Sequence, residues 1–180
     1  MKKLIIIISL MPIGLIAVSQ AYQKETLTLS MGAEVLFGEN KLSTTHHTGF
    51  GVTPKAEYVF GKHVSVTAVT GYYAMQGKDR AVFKYKNISA IPAKAGIRYY
   101  FGSFYGSGEA GALFFFGYNA GTAFAYSIGL GDKIRLNNHI LDIGLRHEGW
   151  SSSRKSTAVI ALRVGYEFTL FKRSVIHSSL

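Results

Sequence analysis

The sequence predicts an all-β protein: an eight-stranded antiparallel up-and-down transmembrane β-barrel, preceded by a cleavable signal peptide. Three observations predict this fold. Apolar and polar residues alternate, as in 156–170, where Leu162 and Val164 share one face while Arg163 and Glu167 lie on the other. The alternation recurs in about eight segments. An export signal precedes all of them.

Residues 1–21 form the predicted signal peptide. Met1-Lys2-Lys3 is its basic start, 4–18 is an apolar run, and Ser19-Gln20-Ala21 places small residues before a cut at Tyr22. The apolar run is shorter than the ~20 residues of a membrane-spanning helix, which favours a cleaved signal over an anchor. The sequence contains no cysteine, so lipid attachment through a cysteine and disulfide formation are both excluded.

Residues 22–171 are the predicted outer-membrane β-barrel domain, and 172–180 form a short basic C-terminal tail. This length suits one domain and accommodates eight strands of ~10 residues with their connections. No later stretch is long and apolar enough for a spanning helix, so insertion has to be by strands. The formal net charge of +10 indicates attraction to anionic lipopolysaccharide or acidic glycans, since an exported chain rarely meets nucleic acid.

The first four strands are predicted at 26–37, 49–60, 64–75 and 89–101. In each, every second side chain is mainly apolar: from Leu27 to Phe37, from Phe50 to Phe60, from Val64 to Tyr72 and from Ile91 to Phe101. Pro54 interrupts the second strand. Because proline has no N–H to donate, a bulge or locally broken pairing is expected there.

The last four strands are predicted at 104–116, 122–131, 139–148 and 156–170, with apolar faces from Phe104 to Phe116, Phe124 to Leu130, Leu141 to Leu145 and Ala158 to Phe168. Gly102-Ser103 is a two-residue turn signal between the fourth and fifth strands. Tight connections at 61–63 and 102–103 contrast with long polar ones at 38–48 and 76–88. The long connections are therefore predicted to face the outside of the cell.

Residue size favours a membrane barrel over a secreted soluble barrel, in which the two faces would be exchanged. The polar faces carry small residues that suit a narrow lumen: Gly32, Gly51, Gly71, Gly96, Gly111, Gly144 and Gly165. Bulky rings stand on the apolar faces near strand ends and predict an aromatic girdle at the membrane interfaces: Phe37, Phe60, Tyr99, Phe101, Phe104, Phe116, Tyr166 and Phe168.

The polar faces also carry six acids and five bases, which predict a charge network in the lumen: Glu34, Lys55, Glu57, Lys94, Arg98, Glu109, Asp142, Arg146, Glu148, Arg163 and Glu167. The Gly102-Ser103 turn sets Gly96 opposite Glu109, so Glu109 is expected diagonally between Lys94 and Arg98. Paired charges of this kind would plug the lumen. An ion path or proton-linked gate is the alternative, but an eight-stranded barrel is little wider than its own side chains.

The sequence predicts no catalytic, metal or cofactor site. The best catalytic candidates are His147, Glu148 and the serines at 151–153. Outer-membrane lipid A deacylases of similar size place a histidine and a serine two residues apart, whereas Gly149 stands two after His147. His46-His47 lies in a polar loop without acids at metal-ligand spacing, which is typical of solvated loop histidines.

Short phrases of the sequence suggest a family. IPAKAGIRYYF at 91–101, LRHEGW at 145–150 and LRVGYEF at 162–168 resemble the middle and closing hairpins of small porin-like outer-membrane β-barrel proteins of the Bacteroidetes type. The resemblance implies an outer-membrane location, insertion by the outer-membrane assembly machinery, and a lumen that would allow a narrow channel for small solutes. Such chains usually end at an aromatic residue, whereas this one continues past Phe171 into the basic tail.

These observations favour a non-enzymatic outer-membrane barrel with a charge-plugged lumen, in an envelope-structural or surface-loop binding role. A narrow porin-like channel is the main alternative, followed by a deacylase-like enzyme or a secreted soluble ligand-binding barrel. The expected partners are outer-membrane lipid and lipopolysaccharide, with an extracellular ligand as a further candidate. Basic loop residues would meet such a partner: Lys41, His46, His47, Lys78, Arg80, Lys84 and Lys86.

Overall fold

Nine strand segments and one short helix follow one another along the chain. The computed structural model describes residues 25–79, 84–117, 120–137, 139–152 and 156–172. The elements are β1 (Thr26–Gly38), α1 (Lys41–Thr45), β2 (Gly49–Val59), β3 (Val64–Thr70), β4 (Tyr72–Met75), β5 (Ile88–Phe101), β6 (Phe104–Phe116), β7 (Gly121–Leu136), β8 (His139–Ser151) and β9 (Ser156–Lys172). The predicted signal peptide, Arg80 and the tail beyond 172 lie outside the described residues. Among those residues, no helix is long and apolar enough to cross a bilayer.

The strands close into a barrel. Each pairs antiparallel with its neighbours, and β1 pairs with both β2 and β9, so the sheet has no free edge. Segments β3 and β4 both lie between β2 and β5 and form one spanning strand. The predicted eight-stranded antiparallel barrel is confirmed.

The third spanning strand is interrupted at Gly71. Pairing of β2 with this strand stops at Lys55–Val69 and resumes at Val52–Tyr72, so the local break expected at Pro54 is confirmed. On the other neighbour, pairing with β5 stops at Thr70–Ala93 and resumes at Tyr73–Ala90, and another proline, Pro92, lies in the gap. The cause is chemical: each neighbouring strand carries a proline here, and proline donates no ladder hydrogen bond.

Gly71 itself has a φ of +153°, and a Cβ there would lie 2.2 Å from the Val52 carbonyl oxygen. The wall therefore needs glycine at this point.

Two strands run further than predicted. β7 continues to Leu136 and β8 to Ser151. Asp132 and Lys133 look like turn residues, yet they continue the alternation: Lys133 is buried inside the barrel while Ile134 is exposed on its outer surface. A lumen that accepts charges lets a strand contain residues that sequence patterns assign to a turn.

The two longest connections, after β1 and β4, lie at one end of the barrel, and the two-residue turns after β5 and β7 lie at the other. The turns after β2, β5 and β7, together with both described chain ends, define the turn end. The connections after β1, β4, β6 and β8 define the loop end, where α1 also lies.

Most residues of the predicted aromatic girdle are strongly exposed on the outer surface, whereas Phe104 and Tyr166 are half-buried among their neighbours. Neighbouring rings of the girdle contact each other, with centroids 4.8 Å apart in Tyr99–Phe101 and 4.5 Å apart in Tyr166–Phe168.

Candidate functional site

The barrel lumen contains two layers of side chains. The ionic layer occupies the middle and the turn end, and it includes all eleven charged residues predicted for the lumen. Ten of these residues are buried and Arg146 is nearly so, with 11% of its side chain exposed. The apolar layer occupies the loop end. Because strand alternation points one face of every strand inward, both layers are built from residues two apart along the strands.

Arg146 organises the part of the ionic layer nearest the loop end. Its Nη1 and Nη2 donate to the two oxygens of Glu34 at 2.9 and 2.6 Å, and its Nε donates to Glu148 at 2.9 Å. Lys94 Nζ joins Glu148 at 2.6 Å and Glu109 at 3.0 Å. Bidentate pairing of this kind holds a guanidinium in one orientation and is among the stronger charged contacts.

Asp142 is the centre of the ionic layer. Its Oδ2 accepts hydrogen bonds from Arg98 Nη2 and Arg163 Nη1, each at 3.0 Å, and Lys55 Nζ lies 3.7 Å away. The Tyr105 hydroxyl donates to the other oxygen, Oδ1. Three cations therefore share one buried carboxylate, more than any other acid of the ionic layer has.

Glu57 anchors the turn end. Its Oε2 accepts from Arg98 Nη1 at 3.0 Å and from Lys133 Nζ at 3.1 Å, while its Oε1 accepts from the Ser65 hydroxyl at 2.6 Å. Lys133 also pairs with Glu167 at 2.7 Å.

Lys133 was not among the predicted lumen residues, because the predicted strand ended at Gly131. The alternation of Gly129, Gly131 and Lys133 is the signal that would have found it. With Lys133 the ionic layer described here holds six acids and six bases, so its formal charges cancel although the chain carries +10. Buried charges are tolerated when each has an opposite partner and hydrogen bonds.

One predicted contact is wrong. Glu109 lies opposite Gly96, as the turn register requires, and pairs with Lys94. Arg98 does not join it, and instead directs its guanidinium to Glu57 and Asp142. The register between adjacent strands fixes which residues are neighbours in the wall, but a long side chain in a narrow lumen reaches across to strands that are distant in the sheet.

Arg163 lies over glycines in the wall. A Cβ at Gly32 would stand 2.6 Å from the Arg163 guanidinium, and one at Gly165 would stand 2.5 Å from it. The guanidinium also donates to Ser30 Oγ at 2.8 Å and Thr53 Oγ1 at 3.1 Å. The predicted role of inward glycines, to make room in a crowded lumen, has a concrete instance here.

The apolar layer was not predicted. Eleven buried residues form it, namely Leu36, Leu42, Tyr73, Met75, Ala90, Leu113, Ala123, Ala125, Trp150, Val159 and Ala161. Trp150 stacks on Tyr73 with centroids 6.4 Å apart and meets Phe115 edge-on at 6.0 Å. Leu42 comes from α1, which places this short helix over the loop end of the lumen. Near the loop end the inward residues are as apolar as the outward ones. The sequence there shows no polar–apolar alternation from which the inward face could be identified.

The two layers are joined by hydrogen bonds. Trp150 Nε1 donates to Glu148 at 2.8 Å, and Arg146 Nη2 donates to the Tyr73 hydroxyl at 2.7 Å. The polar tips of these two rings thus satisfy the ionic layer while their faces fill the apolar layer.

The catalytic candidates lie on opposite sides of the wall. His147 points outward, with Nε2 at 3.1 Å from Glu39, whereas Glu148 is buried in the lumen. Ser151 is exposed, and Ser153 lies outside the described residues. Across the described chain, no three His, Asp or Glu side chains are grouped as metal ligands.

His46 connects α1 to the long loop after β4. Its Nδ1 lies 2.8 Å from Thr45 Oγ1, and its Nε2 lies 3.1 Å from the Lys86 carbonyl oxygen. Burial holds the pKa of His46 below its ordinary value, although the contact with the Lys86 carbonyl acts in the opposite direction.

No family model matches the chain, and no curated protein sequence matches it. Solved structures do. The outer membrane protein Ail of Yersinia pestis, in a phospholipid bilayer nanodisc, has a TM-score of 0.54 at 17% identity and covers 81% of this chain and 100% of its own. Neisserial surface protein A has a TM-score of 0.54 at 13% identity, covering 80% of this chain and 97% of its own. Both are small outer-membrane barrels, and the likeness to them extends to the fold alone.

Proposed function

Since the chain is an outer-membrane β-barrel, we propose that it is a non-conducting, non-enzymatic barrel that stabilises the envelope and presents its loop end to partners outside the cell. The observation that carries this proposal is the two-layered filling of the lumen. A solute that entered from the loop end would first have to displace buried rings, and then separate ion pairs that are buried in the lumen.

The neutrality of the ionic layer also supports a structural role. A conducting pore is usually lined by an excess of one charge and by water, whereas here each acid has a basic partner within hydrogen-bonding distance. Opposite charges that bind each other across the lumen tie distant strands together.

The placement of the catalytic candidates supports a role without chemistry. A histidine acts as a general base only when the group that it deprotonates is within reach. His147 and Glu148 are separated by the barrel wall, so they cannot cooperate in one site on either side of it.

Planar-bilayer recording of the purified protein tests the non-conducting role. We expect no steady conductance from the parent protein, and none from Glu109→Gln, since Lys94 keeps Glu148 as its partner. Folded insertion of both proteins is checked by their faster migration on unboiled gels. Reproducible conductance steps in the parent that change in Glu109→Gln would replace the proposal with the alternative, a narrow channel for small solutes.

A further inference from the structure

A groove lies outside the lumen, at the loop end of the barrel where β4, β5 and β6 meet the long loop after β4. Its volume is about 660 Å³, and it is open to the surroundings. The wall contributes Tyr72, Ser89 and Phe116 to its lining, and the loop contributes Lys84, Tyr85 and Lys86. The groove therefore has an apolar side, formed by the barrel wall, and a basic side, formed by the loop.

The apolar side is continuous with the lipid-facing surface. Tyr72 and Phe116 are 48% and 49% exposed on the outer face of the barrel, among the rings that face the membrane. Ser89 pairs with Phe116 and with Ala74, so two small side chains stand in this row of the wall. A gap between rings at the rim of the barrel is a space that an acyl chain can enter from the bilayer.

The basic side is held in place by the loop backbone. The Tyr85 N–H donates to the Lys78 carbonyl at 3.2 Å, and the Gly77 N–H donates to Asn87 Oδ1 at 3.1 Å. The His46 ring contacts the Lys86 carbonyl, which ties the same segment to α1. The lysines that line the groove thus extend from a segment that is hydrogen-bonded to Gly77, Lys78 and His46.

The charge of the groove is positive. Its lining includes two lysines and no acid. Asp79, outside this lining, pairs with Lys84 at 3.4 Å while both side chains are largely exposed. Such a surface pair is weak and screened, and a phosphate with its higher charge competes well for the lysine.

We propose that this groove binds the phosphorylated glycolipid of the outer leaflet, lipopolysaccharide, with a phosphate between Lys84 and Lys86 and an acyl chain against Tyr72 and Phe116. The ligand has to be anionic and amphiphilic, because cations and lipid-facing rings line one space at the membrane boundary. This inference rests on the proposed orientation, in which the loop end faces the outside of the cell, and it names the partner of that end.

Native mass spectrometry of the protein released from nanodiscs tests the groove. The discs contain phosphatidylcholine doped with bisphosphorylated lipid A. We expect a one-to-one complex of lipid A with the parent. The Lys84→Gln/Lys86→Gln variant should bind lipid A about tenfold or more weakly, because each basic residue near an anionic lipid surface contributes up to about tenfold in affinity and two are removed. Ser89→Trp, which fills the groove without a change in charge, is expected to lower retention as well.

The matched control is Lys62→Gln/Arg135→Gln, which removes the same charge from exposed positions at the turn end of the barrel. It is expected to retain lipid A as the parent does. Gel migration before and after boiling confirms that each variant is folded.

Equal retention of lipid A by the parent and the Lys84→Gln/Lys86→Gln variant would overturn the proposal. Equal retention by the parent of lipid A with and without its phosphates would overturn it as well. Binding of a soluble sulfated glycan in preference to the lipid would assign the groove to a different ligand. The bilayer recording measures conductance through the lumen and is independent of this groove, so the two proposals can fail separately. A protein that conducts and still retains lipid A would contradict only the proposal of a sealed lumen.

Discussion

The lumen acids differ in how many cations depend on them, and Asp142 has the most. Arg98, Arg163 and Lys55 converge on its carboxylate, whereas Glu109 has one cation that also binds Glu148. Removal of one member of a buried ion pair typically costs about 3–5 kcal/mol, because the partner is left buried and uncompensated. The number of partners therefore ranks the lumen acids by their expected effect on stability.

We expect Asp142→Asn to lower the free energy of unfolding by about 3–5 kcal/mol, and Glu109→Gln to lower it by less. Asp79→Asn, which removes the same charge from a surface pair with Lys84, should change it by ~0–1 kcal/mol. Urea unfolding in detergent, followed by the loss of fast migration on unboiled gels, measures all three. If Asp142→Asn unfolds at the same urea concentration as Asp79→Asn, Asp142 is not the centre of the network.

Residue-level prediction from sequence succeeded for faces and for the contact of Glu109 with Lys94, and it failed for the contact of Glu109 with Arg98. The inward position of Glu109 follows from alternation and turn length, which are local properties. The partners of Arg98 depend on which strands face each other across the lumen, and no local pattern contains that information. Lys133 was missed because a charged residue after Gly131 resembles a turn residue unless the interior is known to be charged.

Strand β6 contains a pair of glycines that separates packing from backbone preference. A Cβ at Gly111 would lie 2.1 Å from the Ala93 carbonyl oxygen of β5, whereas a Cβ at Gly108 meets nothing within 4 Å. Backbone cannot move aside as the tip of a flexible side chain can. The same substitution in one strand should therefore have opposite effects at the two positions.

We expect Gly111→Ala to destabilise the barrel by about 1–3 kcal/mol through overpacking. Gly108→Ala should be neutral or stabilising by up to about 1 kcal/mol, because alanine restricts the unfolded chain. Thermal loss of fast gel migration compares the two. Equal melting temperatures would show that the wall at Gly111 relaxes without strain.

Elements were predicted well where their two faces differ and poorly where they do not. The hairpin of β5 and β6 follows from a two-residue turn and clear alternation, and its register is the predicted one. At the loop end the inward side of β8 carries Trp150 and that of β1 carries Leu36, so apolar residues occupy both faces. The apolar layer could not be predicted from the alternation of polar and apolar residues, because the two faces of the strands do not differ there.

The whole molecule has two unlike ends, and this difference predicts its exposure to proteases. Long connections with basic residues lie at the loop end, while the turn end has connections as short as Gly102-Ser103. We expect a protease added to intact cells to cut between residues 76 and 88. After the outer membrane is permeabilised, cleavage within 61–63 is expected as well. Cleavage at 61–63 in intact cells, with 76–88 protected, would reverse the orientation.

The sole tryptophan of the chain, Trp150, makes the apolar layer directly observable. With only 2% of its surface accessible, its indole is shielded from water, and all tryptophan emission of the protein originates at this one depth in the lumen. Its fluorescence wavelength and its access to a soluble quencher therefore report whether water has reached the mouth of the barrel. The intrinsic fluorescence of the unlabelled protein thus reports the entry of water into the lumen at the loop end.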